Sequence, residues 1–174
     1  AGFPDGKGLP EIKLTFGSSA RNKVRFEWIA NQIKQNLGID VVLDPVDPTA
    51  YTALTKDPET TPQTFFLGWC ADFPDPQNWL TAVFKTGGSA SARITFSNEE
   101  FDKLVTAADN ESDTAKRADL YSQAQKLLIE QAPVAFLYND GGKQLIKSYV
   151  TGVKETPLDY IPGFFNLKEL DVAP

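Results

Sequence analysis

The sequence of 174 residues contains no histidine and no methionine, and Cys70 is its only cysteine. Without histidine, neither Ser-His-Asp nor Cys-His nucleophile chemistry is available, and the commonest metal ligand is missing. A single cysteine excludes an internal disulfide and a thiolate zinc site. We therefore expect no metal and no cofactor, and we interpret Cys70 as a small buried hydrophobic residue.

Excess positive charge and long apolar runs are also missing. Seventeen basic against 23 acidic residues give a net charge of -6, which argues against a nucleic-acid partner because such binding neutralises phosphates with Lys and Arg. No apolar run approaches the ~20 residues that span a bilayer. No signal peptide is recognisable either, so we expect a mature chain, a cytosolic chain or a segment of a longer protein.

The first half of the sequence has the pattern of a βαβ unit. Residues 11–16 alternate polar and apolar side chains, as a half-buried strand does. Residues 20–37 carry apolar residues at helical spacing, with Ser18 or Ser19 as the N-cap and Gly38 as the stop. Residues 39–43 return as a strand. Because a helix connects them, the two strands should be parallel.

Further elements follow the same alternation of strands and helices. A short helix should open at Asp47-Pro48, and a third strand should span residues 64–69. The second half indicates an exposed loop at 86–92 and then two helices. The first helix is opened by a capping box with Ser97 at N-cap and Glu100 at N3, and the second is capped by Ser112 or Asp113 and runs to about Gln131. A buried strand at 134–138, a turn at 139–142, a further strand at 145–150 and a tail held by Phe164-Phe165 should follow.

This order predicts an α/β fold with a mixed sheet of about five strands flanked by helices. The hydrophobic content of 41% and charged content of 23% are ordinary for a globular domain. The length suits one domain, or one lobe of a larger protein. Trp28, on the first helix, is interpreted as a core residue.

The most informative stretch begins where the third predicted strand ends. Asp72 lies there, flanked in sequence by Trp69, Phe73 and Trp79. A carboxylate surrounded by aromatic side chains at a strand end suits a cation or an ammonium ligand; the alternative is a capping or turn aspartate. Asp75, between two prolines, reads more simply as a turn residue.

Two other function classes use the same residues. A carboxylate-dependent hydrolase would need Asp72 and Asp75 as an acid–base pair, one of them with a raised pKa. An interaction module would instead use the aromatic strand as a docking surface without a small-molecule ligand. The lack of histidine lowers the odds of the enzyme, and we expect no catalytic residue and no enzymatic activity.

Residues 68–76, Gly-Trp-Cys-Ala-Asp-Phe-Pro-Asp-Pro, resemble the motif of the family 5 extracellular solute-binding proteins. These are the oligopeptide- and dipeptide-binding receptors of ABC importers. Residues 1–8 are similar to the segment that enters the second lobe of these receptors. Residues 100–104, 117–125 and 132–138 are similar to its C-terminal helices and final strand region. The resemblance covers nearly the whole chain in the same order.

The resemblance implies a bilobed, periplasmic-binding-protein-like fold of type II that closes on its ligand by hinge motion. Residues 1–174 would then be a single domain, the ligand-binding lobe II, without the N-terminal lobe I of the same polypeptide. The implied location is extracytoplasmic, either periplasmic or on a cell-surface lipoprotein. The implied partners are a peptide ligand and an ABC permease in the membrane.

The resemblance also implies ligand-binding residues. A bound peptide would pair with the backbones of Gly68 and Cys70, as in strand addition, and its α-ammonium with Asp72. The other implied ligand-binding residues are Trp69, Ala71, Phe73 and Ser18. Dipeptide-type relatives hold the ligand carboxylate with an Arg in the loop after the first strand, where the nearest candidate here is Arg21. This departure favours longer peptides or another solute, such as the nickel chelates or sugars that some family members bind.

Overall fold

Strands and helices alternate through the first half of the chain, and helices follow in the second. A computed structural model describes residue 3 and residues 7–139, 145–154 and 168–172. Within these ranges the elements are β1 (Ile12–Gly17), α1 (Ala20–Leu37), β2 (Val41–Val46), α2 (Pro48–Leu54), β3 (Thr64–Phe65), α3 (Pro76–Phe84), α4 (Glu99–Asn110), α5 (Thr114–Gln131), β4 (Val150–Thr151) and β5 (Asp171–Val172).

The chain divides into two compact units. The first, called the sheet unit, takes in Ala1–Gly68 and Thr86–Ser97. The second, called the helical unit, takes in Trp69–Lys85 and Asn98–Pro174. None of the helices in the described ranges is both long and apolar enough to cross a membrane.

The sheet unit is built on the predicted βαβ unit. Its three strands are all parallel and lie in the order β2-β1-β3, with Ile12 opposite Val41 and Gly17 opposite Val46. The buried face of β1 carries Phe16, whose ring centroid lies 4.4 Å from that of Phe26 on α1. The parallel pairing predicted for the first two strands is therefore confirmed.

The first helix has the predicted bounds and caps. Ser19 is the N-cap, accepting a hydrogen bond at 3.1 Å from the Asn22 N–H. Gly38 ends the helix with φ of 70°, a left-handed conformation that glycine adopts without strain. The core assignment of Trp28 is wrong, because its side chain is 64% exposed. Two residues turn a helix by about 200°, so Trp28 lies opposite the buried Phe26.

The third strand is shorter than predicted. It ends at Phe65 rather than at residue 69. One mixed sheet of about five strands was expected, whereas the described residues contain a parallel sheet of three strands and a separate antiparallel sheet of two. The side chain of Tyr51, on α2, explains the end of the strand. Its hydroxyl donates to the Phe66 carbonyl and accepts the Phe66 N–H at 3.0 Å, so it occupies both main-chain groups of that residue.

The loop expected at 86–92 is not simply exposed. Its residues form consecutive turns in which Ala90 and Ser91 are buried. Arg93 closes these turns, because its Nε donates to the Ser89 carbonyl at 2.9 Å and its guanidinium also reaches the Thr55 carbonyl at 3.3 Å.

The helical unit buries one face of each of its long helices. The buried residues recur three or four positions apart, namely Phe101, Val105 and Ala108 on α4 and Tyr121, Ala124 and Leu128 on α5. Asp113 is the N-cap of α5, accepting from the Lys116 N–H at 3.0 Å. Both long helices were predicted from this spacing.

The capping box predicted for α4 is wrong by one residue. The N-cap is Asn98, whose side chain accepts from the Phe101 N–H at 2.9 Å. Asparagine and serine cap equally well, so the sequence Ser97-Asn98 leaves the choice to the tertiary structure. Ser97 instead shares a hydrogen bond of 3.0 Å with the Thr86 hydroxyl.

The strand predicted at 134–138 is not formed. Residues 134–139 belong to no strand, and the side chain of Phe136 is 58% exposed. An apolar run indicates a need for burial, but a strand also needs a paired neighbour, and the described residues supply none here. Of residues 145–150, Val150 alone is in a strand, pairing through β4 with β5. The turn residues 140–142 and Phe164-Phe165 lie outside the described residues.

Candidate functional site

Two of the predicted ligand-binding residues belong to the sheet unit, and both are exposed. Ser18 follows β1, and its N–H donates to the Val46 carbonyl at 2.7 Å. Gly68 lies three residues beyond the end of β3. A Cβ atom added to Gly68 would meet no atom of the described residues within 4 Å, and Gly68 has no positive φ. Neither a local contact nor the backbone conformation therefore requires glycine at this position.

The other predicted residues, Trp69 to Phe73, form one loop of the helical unit that leads into α3. The interpretation of Cys70 as a buried residue is wrong, because its side chain is exposed. The reason is local, since the loop has no regular structure and does not enter the core of the unit. Asp72 and Phe73 are also exposed, whereas Trp69 and Ala71 are half-buried.

The backbone of this loop has unused hydrogen-bonding groups. In the described part of the chain, the main-chain groups of Trp69, Cys70 and Ala71 form no hydrogen bond with another residue. Backbone donors and acceptors that lack a partner in the protein are available to water or to an added strand. The loop can therefore accept an extended chain by main-chain pairing.

The loop is held by Asn78, a residue in the first turn of α3. Its side chain is only 2% exposed, and both of its polar atoms contact the loop. Oδ1 accepts from the Trp69 Nε1–H at 2.9 Å and from the Asp72 N–H at 3.1 Å. Nδ2 donates to Oδ2 of the Asp72 carboxylate at 3.2 Å.

Within the described ranges, the Asp72 carboxylate thus has a neutral partner only. Among the described residues, no Lys or Arg side chain forms an ion pair with it, and its Oδ1 accepts no hydrogen bond. Phe73 and Trp79, its neighbours in sequence, are exposed aromatic side chains of the same unit. An exposed carboxylate with one free oxygen can bind a cation or an ammonium group.

Asp75 has a different environment. Its side chain caps α3 by accepting from the Gln77 N–H at 2.8 Å. The Arg117 guanidinium donates two hydrogen bonds to it, at 2.9 and 2.7 Å. These bonds from Arg117 hold the pKa of the Asp75 carboxyl below its usual value. Asp75 therefore remains ionised and engaged, as a structural residue at the turn before α3.

A network of polar contacts continues from Arg117 along α5. The guanidinium lies over the Tyr121 ring, 4.9 Å from its centroid, and the Tyr121 hydroxyl donates to Asp109 on α4. Thr81 on α3 donates to the same Asp109 oxygen at 3.1 Å. Burial, and then the bond to Asp109, raises the pKa of Tyr121 to about 12, so it stays a neutral donor. The network joins the three helices α3, α4 and α5.

Sequence reasoning missed Asn78 and Arg117. Asn78 carried a weak signal, because asparagine is an unfavourable residue inside a helix unless its side chain has a specific partner. The sequence around Arg117 gave no signal for its ion pair, because the partner Asp75 is 42 residues away in sequence. In the described ranges, no group of three or more His, Cys, Asp or Glu side chains could hold a metal ion.

Known proteins similar to the chain are peptide-binding proteins. No protein-family model matches it. The dipeptide-binding protein DppE of Bacillus subtilis is 32% identical over 154 residues, which cover 88% of this chain and 27% of that protein. The murein tripeptide-binding protein MppA of Escherichia coli superposes with a TM-score of 0.71 at 27% identity, covering 82% of this chain and 27% of that one.

A second similar structure supports the fold. Haemophilus influenzae OppA in complex with the peptide RPPGFSPFR superposes with a TM-score of 0.80 at 22% identity, over 99% of this chain and 33% of that one. The chain thus spans about a quarter to a third of the length of these proteins. The α/β architecture is that of one part of a bilobed binding protein, as predicted.

Proposed function

We propose that the chain is a peptide-binding lobe of a family 5 solute-binding protein, an oligopeptide- or dipeptide-binding receptor of an ABC importer. Over most of its length it is similar to proteins named for binding dipeptides, oligopeptides and murein peptides. Residues 1–174 make up one lobe of a two-lobed polypeptide whose other lobe is N-terminal to it. The whole receptor is extracytoplasmic, captures peptides between its lobes and delivers them to a membrane permease. It catalyses no reaction.

The observation that carries this proposal is the state of Asp72. Its carboxylate is exposed, has one oxygen without a partner among the described residues, and is adjacent in sequence to a loop with unused main-chain groups. A peptide is recognised here by its two constant features. Asp72 pairs with the α-ammonium, and the backbones of Gly68 and Cys70 pair with the peptide backbone.

The remaining predicted residues contribute less specific contacts. Trp69, Ala71 and Phe73, on the loop itself, offer apolar groups to the ligand's side chains. Ser18, in the sheet unit, is proposed as a ligand-binding residue from the family resemblance alone. Main-chain pairing does not depend on side-chain identity, so it suits a receptor that takes peptides of varied sequence. One lobe alone binds weakly, since it lacks half the contacts and cannot close on the ligand.

Isothermal titration of the natural polypeptide at its full length tests this proposal. Tetra-alanine with a free N-terminus should bind at least tenfold more tightly than N-acetyl-tetra-alanine, which corresponds to about 1.4 kcal/mol. Acetylation removes the charge but leaves the peptide backbone unchanged. Equal affinities for the two peptides would refute the role of Asp72.

The hydrolase interpretation needs Asp75 as a second catalytic carboxylate. As the general acid Asp75 would have to be protonated near neutral pH, and the ion pair with Arg117 shifts its pKa in the opposite direction. As the base it would need a free oxygen, but both of its carboxylate oxygens accept hydrogen bonds from Arg117 or from the Gln77 N–H. No observation favours the interaction module either. Peptide capture is the function that the geometry supports best.

A further inference from the structure

We propose that Asn78 is a positioning residue for peptide capture: it holds the Asp72 carboxylate in the orientation that receives the ligand's amine. This inference rests on the function proposed above and adds to it a residue that would not touch the ligand. Asn78 is almost fully buried, whereas Asp72 is exposed, so the contact between them joins the interior of the helical unit to its surface.

The contacts of Asn78 fix the loop at two points. Oδ1 receives the Trp69 indole N–H and the Asp72 backbone N–H, which lie at the start and near the end of the loop. Nδ2 then fixes the side chain of Asp72 through one carboxylate oxygen, Oδ2. One buried amide therefore sets both the course of the backbone and the direction of the carboxylate.

The chemistry of the amide matters as much as its position. A lysine or arginine in place of Asn78 would orient the carboxylate but also neutralise it, and the site would lose its attraction for an ammonium group. A neutral amide leaves the negative charge and the free Oδ1 available to the ligand. Asparagine also accepts the two N–H groups, which no cationic side chain can do.

Asn78 is itself held in place. Its N–H donates to the Asp75 carbonyl at 3.1 Å, within the first turn of α3. Asp75 caps that turn and is bound by Arg117 of α5. A binding group supported by a capped helix and a second helix is positioned more accurately than one on a free loop.

The test compares variants of the full-length natural polypeptide by titration with tetra-alanine and N-acetyl-tetra-alanine. Asn78→Leu keeps a branched side chain of similar shape, although a larger one, and removes all three side-chain hydrogen bonds. We expect its affinity for tetra-alanine to fall about threefold to tenfold, with the affinity for the acetylated peptide within twofold of wild type. Thr81→Val, the control on the same helix, removes a hydrogen bond to Asp109 that does not involve the loop, and it should leave the ratio of the two affinities unchanged.

The outcomes separate the two proposals. If wild type does not bind tetra-alanine, or does not distinguish the two peptides, the proposed function fails and this inference fails with it. If wild type distinguishes them but Asn78→Leu weakens both equally, or neither, then Asn78 is only structural and this inference alone is overturned.

A second variant covers the case in which Asn78→Leu does not fold. Asn78→Asp keeps an oxygen acceptor for both N–H groups and replaces the donor to Asp72 by a second carboxylate oxygen. Repulsion between the carboxylates moves Asp72, so the affinity ratio of the two peptides must depart from the wild-type ratio by at least threefold. An unchanged ratio would overturn the inference.

Discussion

Replacing Asp75 with alanine should destabilise the helical unit by about 2 kcal/mol. About 1 kcal/mol comes from loss of the α3 N-cap. The ion pair with Arg117 contributes about 1 kcal/mol more. The pair is bidentate, but solvent screens it because the side chains of Asp75 and Arg117 remain 33% and 28% exposed. Urea unfolding at pH 7, followed by circular dichroism and by tryptophan fluorescence, measures the loss.

Asp75→Asn divides this loss into its two parts. Asparagine caps a helix as well as aspartate does, so this variant keeps the cap and loses the charge. It should cost about 1 kcal/mol, half of the alanine effect. Asp75→Asn should not change the ratio of affinities for free and acetylated peptides, because it keeps the cap of the turn that carries Asn78 and Asp75 does not touch the ligand in this account.

The charge contribution should also depend on pH. Because Arg117 lowers the folded-state pKa of Asp75 from 3.8, the ion pair stabilises the fold fully above that value and loses its effect as the pH falls through the lower, folded-state pKa. The stability difference between wild type and Asp75→Asn should therefore shrink progressively as the pH falls below 3.8. A difference that stays constant from pH 7 to pH 2.5, or an alanine variant as stable as wild type, would refute the reasoning.

Three further predictions use other positions. Gly38→Ala should lower the free energy of unfolding by about 1 kcal/mol in urea titration, because alanine is strained at a φ of 70°. An unchanged free energy of unfolding would contradict the left-handed conformation of Gly38 at the end of α1. Gly68→Val should leave the free energy of unfolding in urea within about 0.5 kcal/mol of wild type, since no described atom lies within 4 Å of a Cβ added at this position. The same variant should weaken tetra-alanine binding in calorimetry, and an unchanged affinity would argue against backbone pairing at residue 68. Trp28→Ser should change stability by less than about 0.5 kcal/mol, whereas a loss of several kcal/mol would show a core residue.

The local elements were predictable because their determinants are close in sequence. The βαβ unit follows from periodicity, and the ends of α1 follow from Ser19 and Gly38. The first turn of α4 shows the limit of such reasoning. Ser97 and Asn98 are both good caps, and the contact of Ser97 with Thr86 could not be read from the local pattern.

The errors share a physical cause, which is that burial and pairing depend on residues distant in sequence. Residues 134–138 have the composition of a buried strand, yet they have no strand partner among the described residues. For the proposed site, the sequence indicated the loop and Asp72 as candidates but not the contacts that support them. Asn78 is recognisable as important only after its side chain is seen to reach back to Trp69 and Asp72.

The central claim is that the charge of Asp72 recognises the amine of a peptide, and Asp72→Asn tests it most directly. Asparagine has the same shape and can still accept the hydrogen bond from Asn78, so the loop should keep its structure. Calorimetry on the full-length polypeptide should show affinity for tetra-alanine reduced more than tenfold, about 1.4 kcal/mol, with the affinity for the acetylated peptide unchanged. Undiminished affinity of Asp72→Asn for tetra-alanine would contradict the account.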